Sequence, residues 1–172
     1  MKILPQLRDW EFNTPPMGLI HRPVLVKEAM QFLQPGAGEL FVDCTLGMGG
    51  HAEAMLEASK NVQVIGIDRD EEAIEFARRR LERFGDCFTA VHAHFNQLAE
   101  ALARFGISQV DGILVDLGVS SLQLESVERG FSFQNEGPLD MRMDRRQKLT
   151  AADLVNTLSE SELADIIYRY GE

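Results

Sequence analysis

The sequence predicts an α/β domain built on a parallel sheet with helices on both faces. Three observations carry this. Four short, almost continuous apolar runs (40–42, 62–67, 87–91 and 110–115) recur along the chain, helical stretches separate them, and a glycine-rich turn directly follows the first run. Apolar runs without polar alternation mark strands buried on both faces. Strand–helix alternation makes those strands parallel, joined by right-handed crossovers. On such sheets ligands bind beyond the carboxyl ends of the strands.

Residues 1–20 have no periodicity and read as an arm. A helix is expected from Pro23, a residue suited to the first helical turn, with Val24, Leu25, Ala29, Phe32 and Leu33 as its apolar positions. It stops before Pro35-Gly36. The strand at 40–42 runs into the turn Leu46-Gly47-Met48-Gly49-Gly50, and a helix follows over about 51–58. After the strand at 62–67, Asp70 is placed to cap a helix with Glu71 and Glu72 in its first turn and Arg78, Arg79 and Arg80 near its end. That order of charge suits the helix dipole. Ile74, Ala77, Leu81 and Phe84 share one face of it. The third strand is 87–91. Asn96 is expected to cap a helix carrying Leu98, Leu102 and Phe105, and 110–115 is the fourth strand. Residues 117–148 then form a long irregular stretch holding Arg129, Arg142, Arg145, Arg146 and Lys148. Loops of that length are usually functional or disordered. Two short helices end the chain, one beginning at Thr150 and one opened by a Ser159/Glu162 capping box.

The bulk numbers bound the function. At 172 residues, 45% hydrophobic and 26% charged, the chain is a globular domain, or one domain with part of another. No stretch has the apolar length of a membrane span. The start contains Asp9, Glu11, Pro5, Pro15 and Pro16 and lacks the apolar centre of an export signal, so the cytoplasm is the expected compartment. Cys44 and Cys87 fall in apolar runs and read as small buried hydrophobes. Two cysteines are too few for a zinc site and are not expected to pair in a reducing compartment. The net charge of −10 argues against nucleic acid, since phosphate binding is driven by Lys and Arg.

Residues 43–51, Asp-Cys-Thr-Leu-Gly-Met-Gly-Gly-His, join the first strand to a helix. Glycines there let backbone N–H groups approach a ligand at a helix N-terminus, although a tight turn alone would also use them. Asp68 ends the second strand 21 residues after Gly47. A carboxylate at that place accepts both hydroxyls of an adenosine ribose. With Asp70 as the cap, Asp68 is left for a ligand. The pattern indicates an adenosine-containing cofactor. Counting from Gly47, the third glycine position of the dinucleotide fingerprint is Ala52, which its looser form permits. Spacing alone therefore leaves nicotinamide dinucleotides and S-adenosylmethionine both open, and with them an oxidoreductase or a transferase.

Several longer runs carry a resemblance. They are His21-Arg22-Pro23-Val24-Leu25, the turn ending Gly49-Gly50-His51, Gly66-Ile67-Asp68-Arg69-Asp70, and the most specific, 111–121, Asp-Gly-Ile-Leu-Val-Asp-Leu-Gly-Val-Ser-Ser. Glu128-Arg129-Gly130-Phe131-Ser132-Phe133 and 137–144, Gly-Pro-Leu-Asp-Met-Arg-Met-Asp, continue it. From His21 to Glu172 the chain resembles the bacterial MraW-type methyltransferases, which methylate the exocyclic N4 of a cytidine in small-subunit ribosomal RNA. The resemblance implies a Rossmann-like S-adenosylmethionine-dependent methyltransferase sheet with the start of an inserted helical domain. It divides the chain into an arm (1–20), an incomplete core (21–125), and a loop with the start of the helical insertion (126–172). Gly49, Gly50 and His51 are then expected to hold the methionine end of the cofactor, Asp68 its ribose and Phe95 its adenine, with Asp116 and Gln123 completing the pocket. The implied partner is small-subunit ribosomal RNA or its particle. No metal and no membrane are implied.

Leu122 stands where the family often has proline, and Cys44 and Met48 sit at variable positions. Family members run well beyond Glu172, so the chain reads as a piece, expected to bind cofactor but to lack activity by itself. The arginines between Arg129 and Lys148 are the only visible part of an RNA footprint, the rest being expected elsewhere. Amine methyltransferases often carry an Asp/Asn-Pro-Pro-aromatic loop after the fourth strand. Here the loop is Asp116-Leu117-Gly118-Val119, and Asp116 is the candidate acceptor for an amine proton. The target base must be unpaired or flipped to reach it.

Overall fold

A computed structural model describes residues 23–171. The arm at 1–20, together with His21, Arg22 and Glu172, lies outside the described residues. The elements are α1 (Val26–Leu33), β1 (Leu40–Asp43), α2 (Gly50–Ala58), β2 (Gln63–Asp68), α3 (Glu71–Leu81), β3 (Phe88–His92), α4 (Leu98–Ala103), β4 (Gly112–Leu114), α5 (Ser121–Glu125), α6 (Ala151–Thr157) and α7 (Glu160–Tyr170). The four strands are parallel in the order β3-β2-β1-β4. This is the inner order of a Rossmann-type sheet, and the chain reverses its direction of travel between β1 and β4.

Adjacent residues of each inner strand point to opposite faces, and both faces are apolar. Phe41 and Val64 pack with Met55, Ile74, Ala77 and Leu81 under α2 and α3. Val42, Ile65 and Ile67 pack with Val91, Ala101 and Leu102 under α4. The sheet is therefore covered on both sides, as its apolar runs require. Asp111 ties β1 to β4 at their start. Its carboxylate accepts from Leu40 N (2.8 Å), and its own N–H donates to Leu40 O (2.8 Å).

Several local expectations are corrected. The first helix begins at Val26 rather than Pro23, after Leu25 takes a left-handed conformation (φ 54°). The Pro23 ring instead packs where a side chain on Gly50 would stand, 2.5 Å from an added Cβ. His94, not Asn96, caps the turn before α4: its ring nitrogen accepts from Asn96 N, and Gln97 returns the bond in a capping box. Phe105 lies beyond the end of α4 and is half exposed. Cys44 is buried just past β1, Cys87 is half buried just before β3, and both are free thiols. The fourth strand is only three residues long and forms one edge of the sheet, with Ile113 and Val115 each about half exposed. The stretch 117–148 is not wholly irregular. Ser120 and Gln123 form a capping box that opens α5, and a 3₁₀ turn spans Val127–Arg129. The Thr150/Asp153 and Ser159/Glu162 boxes open α6 and α7. Among the described residues no helix is long and apolar enough to cross a membrane.

Candidate functional site

The carboxyl edge of the sheet gathers the residues singled out above. Asp43 ends β1, Asp68 ends β2, and Asp116 lies two residues past β4. The glycine turn is built on Asp68. Gly47 N donates to Asp68 Oδ2 (2.7 Å), and Asp70 N donates to Asp68 Oδ1 (2.9 Å). Contrary to the expectation from sequence, Asp68 is thus not left free by Asp70. Both oxygens already accept backbone N–H groups, the Arg69 N–H adding to those of Gly47 and Asp70, and a carboxylate's four lone-pair sites leave room for a further donor. Burial raises the Asp68 carboxyl above its ordinary range, against the N–H groups of Asp70 and Gly47. Further donors would favour the ionised form.

The glycines divide by function. Gly47 (φ +51°) faces open space, with only Thr45 O within 4 Å of an added Cβ (3.9 Å). Gly49 (φ +80°) is required by packing, because a Cβ there would stand 3.1 Å from Leu81 Cδ1 and 3.2 Å from Ala77 Cβ. Gly49 is the N-cap of α2 and gives that helix no side-chain cap. The first-turn N–H groups of α2 therefore face the same edge as Gly47.

Three carboxylates share this edge. Asp43 is completely buried; Thr45 N donates to its Oδ1 (3.1 Å). Burial pushes the Asp43 carboxyl up to about 7, the N–H groups of Thr45 and Ala52 pull it down, and the charges of Asp68 and Asp116 push it further up. Asp116 is exposed, and its N–H donates to Thr45 Oγ1 (2.7 Å), which docks the loop after β4 onto the glycine turn. His51, buried in the first turn of α2, brings Nε2 to 3.6 Å from Asp116 Oδ2. Phe95 stands on the same edge. Ala93 N donates to Asp68 O (2.9 Å), and two residues later the 40%-exposed Phe95 ring lies 4.2 Å from the His94 ring.

Gln123 is placed differently from its companions. It is 4% exposed, and its Nε2 donates to Asp70 Oδ2 (2.8 Å) while its Oε1 accepts from Ser120 N (3.1 Å). It reaches the rim through Asp70 rather than by facing open space.

The basic stretch also differs from expectation. Arg129 is 1% exposed and forms ion pairs with Asp70 (2.7 Å) and Glu72 (2.8 Å). Arg142 pairs with Asp140 (2.6 Å), Arg145 with Glu72 (3.3 Å) and Arg146 with Asp144 (2.8 Å). These pairs hold the carboxyls of Asp140 and Asp144 down to about 2, through hydrogen bonds from Arg142 and Arg146 respectively. Each of these four arginines is thus paired with a carboxylate rather than left as a free cation.

The structure thus brings Gly49, Gly50, His51, Asp68, Phe95 and Asp116 to one rim. Sequence reasoning missed three participants. Asp43 had a signal, an acidic residue closing an apolar strand. Thr45 had none, and Arg129 was read only as part of a basic stretch, because their partners are 71 and 59 residues away.

The MraW methylase family matches residues 18–172. A ribosomal RNA small subunit methyltransferase H of Kocuria rhizophila is 50% identical over 155 residues, covering 88% of this chain and 47% of that protein. Its counterpart in Sorangium cellulosum is 52% identical over 157 residues (91% and 50%), and that of Carboxydothermus hydrogenoformans is 49% identical over 156 residues (91% and 50%). The chain spans about half the length of these curated relatives. The match takes in the glycine turn, the acidic rim and the segment that closes on Asp70, so this chain belongs to the MraW methylase family.

Proposed function

We propose that this chain carries the cofactor site of an S-adenosylmethionine-dependent methyltransferase that modifies the exocyclic N4 of a cytidine in small-subunit ribosomal RNA, in the cytoplasm. The observation that carries the reading is the acidic rim: Asp43, Asp68 and Asp116 surround a glycine turn at the reversal point of the sheet. A sulfonium ligand with an α-amino group brings positive charge to that rim. A nicotinamide dinucleotide brings a pyrophosphate, which the carboxylates of Asp68 and Asp116 repel. The same electrostatics therefore disfavour the oxidoreductase reading. The names of the curated relatives support the ribosomal RNA substrate.

The residues present fit such a cofactor. Asp68 retains acceptor capacity for a ribose hydroxyl, and Gly47 leaves its face of the turn open. In this assignment Gly49, Gly50 and His51 hold the methionine end with the N-terminal turn of α2, Phe95 lies against the adenine, and Asp116 closes the far side. Gln123 completes the pocket by holding Asp70 rather than by contact. Residues 21–125 are the core, and 126–172 are the loop and the beginning of the helical insertion, preceded by the arm at 1–20. When bound, S-adenosylmethionine supplies an activated methyl group. The chain supplies alignment and charge. Asp116 Oδ2, exposed and steadied by its neighbour His51, accepts a hydrogen bond from the cytosine amine, which helps localise a lone pair otherwise delocalised into the ring.

Calorimetry on the full-length protein with S-adenosylmethionine and with NAD tests the cofactor. Binding of the first alone is expected, and binding of NAD alone would sink the reading. Transfer of labelled methyl to small-subunit ribosomal RNA, with nucleoside analysis of the product, tests the target. N4-methylcytidine is the expected product, and label in any other nucleoside would refute the N4 assignment. Cofactor binding without transfer would favour a non-catalytic binding role.

A further inference from the structure

Arg129 reaches further than the ion pairs already described. Nη1 donates to Asp70 Oδ1 (3.3 Å) and Glu72 Oε2 (2.8 Å), and Nη2 donates to Asp70 Oδ2 (2.7 Å) and to the carbonyls of Arg142 (3.1 Å) and Met143 (3.0 Å). Asp70 stands between this guanidinium and the rim. Its side chain takes Arg129 and Gln123, while its backbone N–H fixes Asp68 Oδ1. On the other side the chain of contacts continues. Met141 N donates to Arg129 O (2.9 Å), and Ala151 N and Ala152 N donate to the carbonyls of Asp140 and Leu139 (2.8 Å each), which seats the N-terminus of α6. Met141 is held at φ 56°, a conformation a non-glycine residue adopts only where its surroundings impose it. One buried side chain thus joins the carboxylate assigned to the ribose to the 139–152 segment, between residues up to 84 apart in sequence.

We propose that Arg129 is a positioning residue that couples occupation of the cofactor site to the seating of segment 139–152, the segment leading into the helical insertion. The proposal rests on the cofactor assignment above. A ligand that fixes Asp68 restrains Asp70 through the Asp70 N–H, and Asp70 restrains the guanidinium on which the Arg142 and Met143 carbonyls hang. Coupling is reciprocal, so a seated segment raises cofactor affinity by the same factor. Lysine distinguishes this role from simple charge neutralisation. It can pair with Asp70 as a point charge but cannot span Asp70, Glu72 and two carbonyls at once.

The test is amide hydrogen exchange on the full-length protein, with and without S-adenosylhomocysteine, in the wild type and in Arg129→Lys. Calorimetry first establishes that the probe binds the wild type. If it does not, the cofactor assignment itself falls, and that failure is distinct from a failure of the coupling. In the wild type, exchange across 139–152 is expected to slow about tenfold on binding, within the usual range of coupling. In Arg129→Lys the cofactor-dependent slowing is expected to fall below about twofold, with cofactor affinity lowered by the matching factor. Slowing absent from the wild type, or fully retained in the lysine variant, would overturn the proposal, the latter showing Arg129 to be a counter-charge only. Should the lysine variant not fold, Glu72→Gln weakens the same grip from a half-exposed position and is read by the same two outcomes: partial loss of the slowing supports the coupling, and none overturns it.

Discussion

Asp43 is the residue whose ionisation weighs most on the fold. Its carboxyl is raised by burial from 3.8 to about 7, so between those values the folded state holds a proton that the unfolded chain has lost. Stability from this group therefore falls as pH rises from about 4 to 7 and is level above. At about 1.4 kcal/mol per tenfold, the loss amounts to roughly 4 kcal/mol at most. Asp140 and Asp144 act in the opposite sense lower down: with folded values of about 2, their contribution is present above about 4 and is lost as the pH falls towards 2. Asp43→Asn, which stays neutral and can still accept from Thr45 N, should be more stable than the wild type at pH 8 and no more stable at pH 4. Melting curves across that range check it, and parallel curves for the two proteins would refute the buried titration. Asp68→Ala is expected to weaken cofactor binding by about 1.5–3 kcal/mol, a loss of charge-assisted hydrogen bonds readable by calorimetry; unchanged affinity would remove Asp68 from the ribose. Gly49→Val should destabilise the domain rather than block a ligand, since its side chain meets Leu81 and Ala77; a native circular dichroism spectrum and melting temperature would contradict that packing. The place of Asp68 at the rim, though not its bonds to Gly47 N and Asp70 N, was legible because an acid that closes a strand beside a glycine turn lies at the carboxyl edge of the sheet. The importance of Arg129 was not, because its partners lie in a helix 57–59 residues earlier.

Elements were legible where the signal was local. Ser159 and Glu162, Thr150, and Asp70 with its acidic first turn and basic last turn all lie within one or two helical turns of the bonds they make. Where two local candidates competed, the sequence misled. Asn96 is the better capping residue by type, but His94 is in the extended conformation a cap needs, and its ring takes the bond. The fourth strand misled for another reason. Six apolar-rich residues, 110–115, read as a buried strand, yet only Gly112, Ile113 and Leu114 pair in register with Phe41, Val42 and Asp43; at the near end Asp111 caps Leu40 with its side chain, and at the far end the last bond is from Cys44 N to Leu114 O. α7 has no buried residue and rests on its cap and side-chain pairs. Ser159→Ala is therefore expected to cost that helix about 0.5–2 kcal/mol, seen as faster amide exchange across α7 with little change in the melting of the sheet. Equal loss across the sheet would mean that α7 is docked more firmly than its exposure implies.

Among the described residues, a run of exposed apolar side chains follows the last strand. Beyond β1 the chain presents Ile113, Val115, Leu117 and Val119, all between 44% and 70% exposed, along and just past an edge strand three residues long. An exposed edge with apolar side chains is a template for pairing with other chains. The helices after it are no better covered, with Ile167, Tyr168 and Tyr170 outward on α7. The rim, by contrast, is built from the ends of β1 and β2 and from the loops after β1, β3 and β4, over a sheet packed on both faces. The arginines of 129–146 are consumed by Asp70, Glu72, Asp140 and Asp144, and a net charge of −10 provides no general attraction for RNA. On the proposed function, cofactor binding and RNA modification therefore make different demands on these 172 residues. Taken alone, the chain is expected to bind S-adenosylmethionine more weakly than the full-length protein, to self-associate, and to transfer no methyl group to small-subunit ribosomal RNA. Ile113→Lys with Val115→Lys should reduce the self-association without restoring transfer, because charges on an edge block pairing but build no RNA surface of the right shape. Sedimentation and a side-by-side transfer assay of the 172-residue chain and the full-length protein read both halves. Comparable turnover by the two would show that the catalytic unit is complete within this chain and that the exposed edge needs no cover for activity.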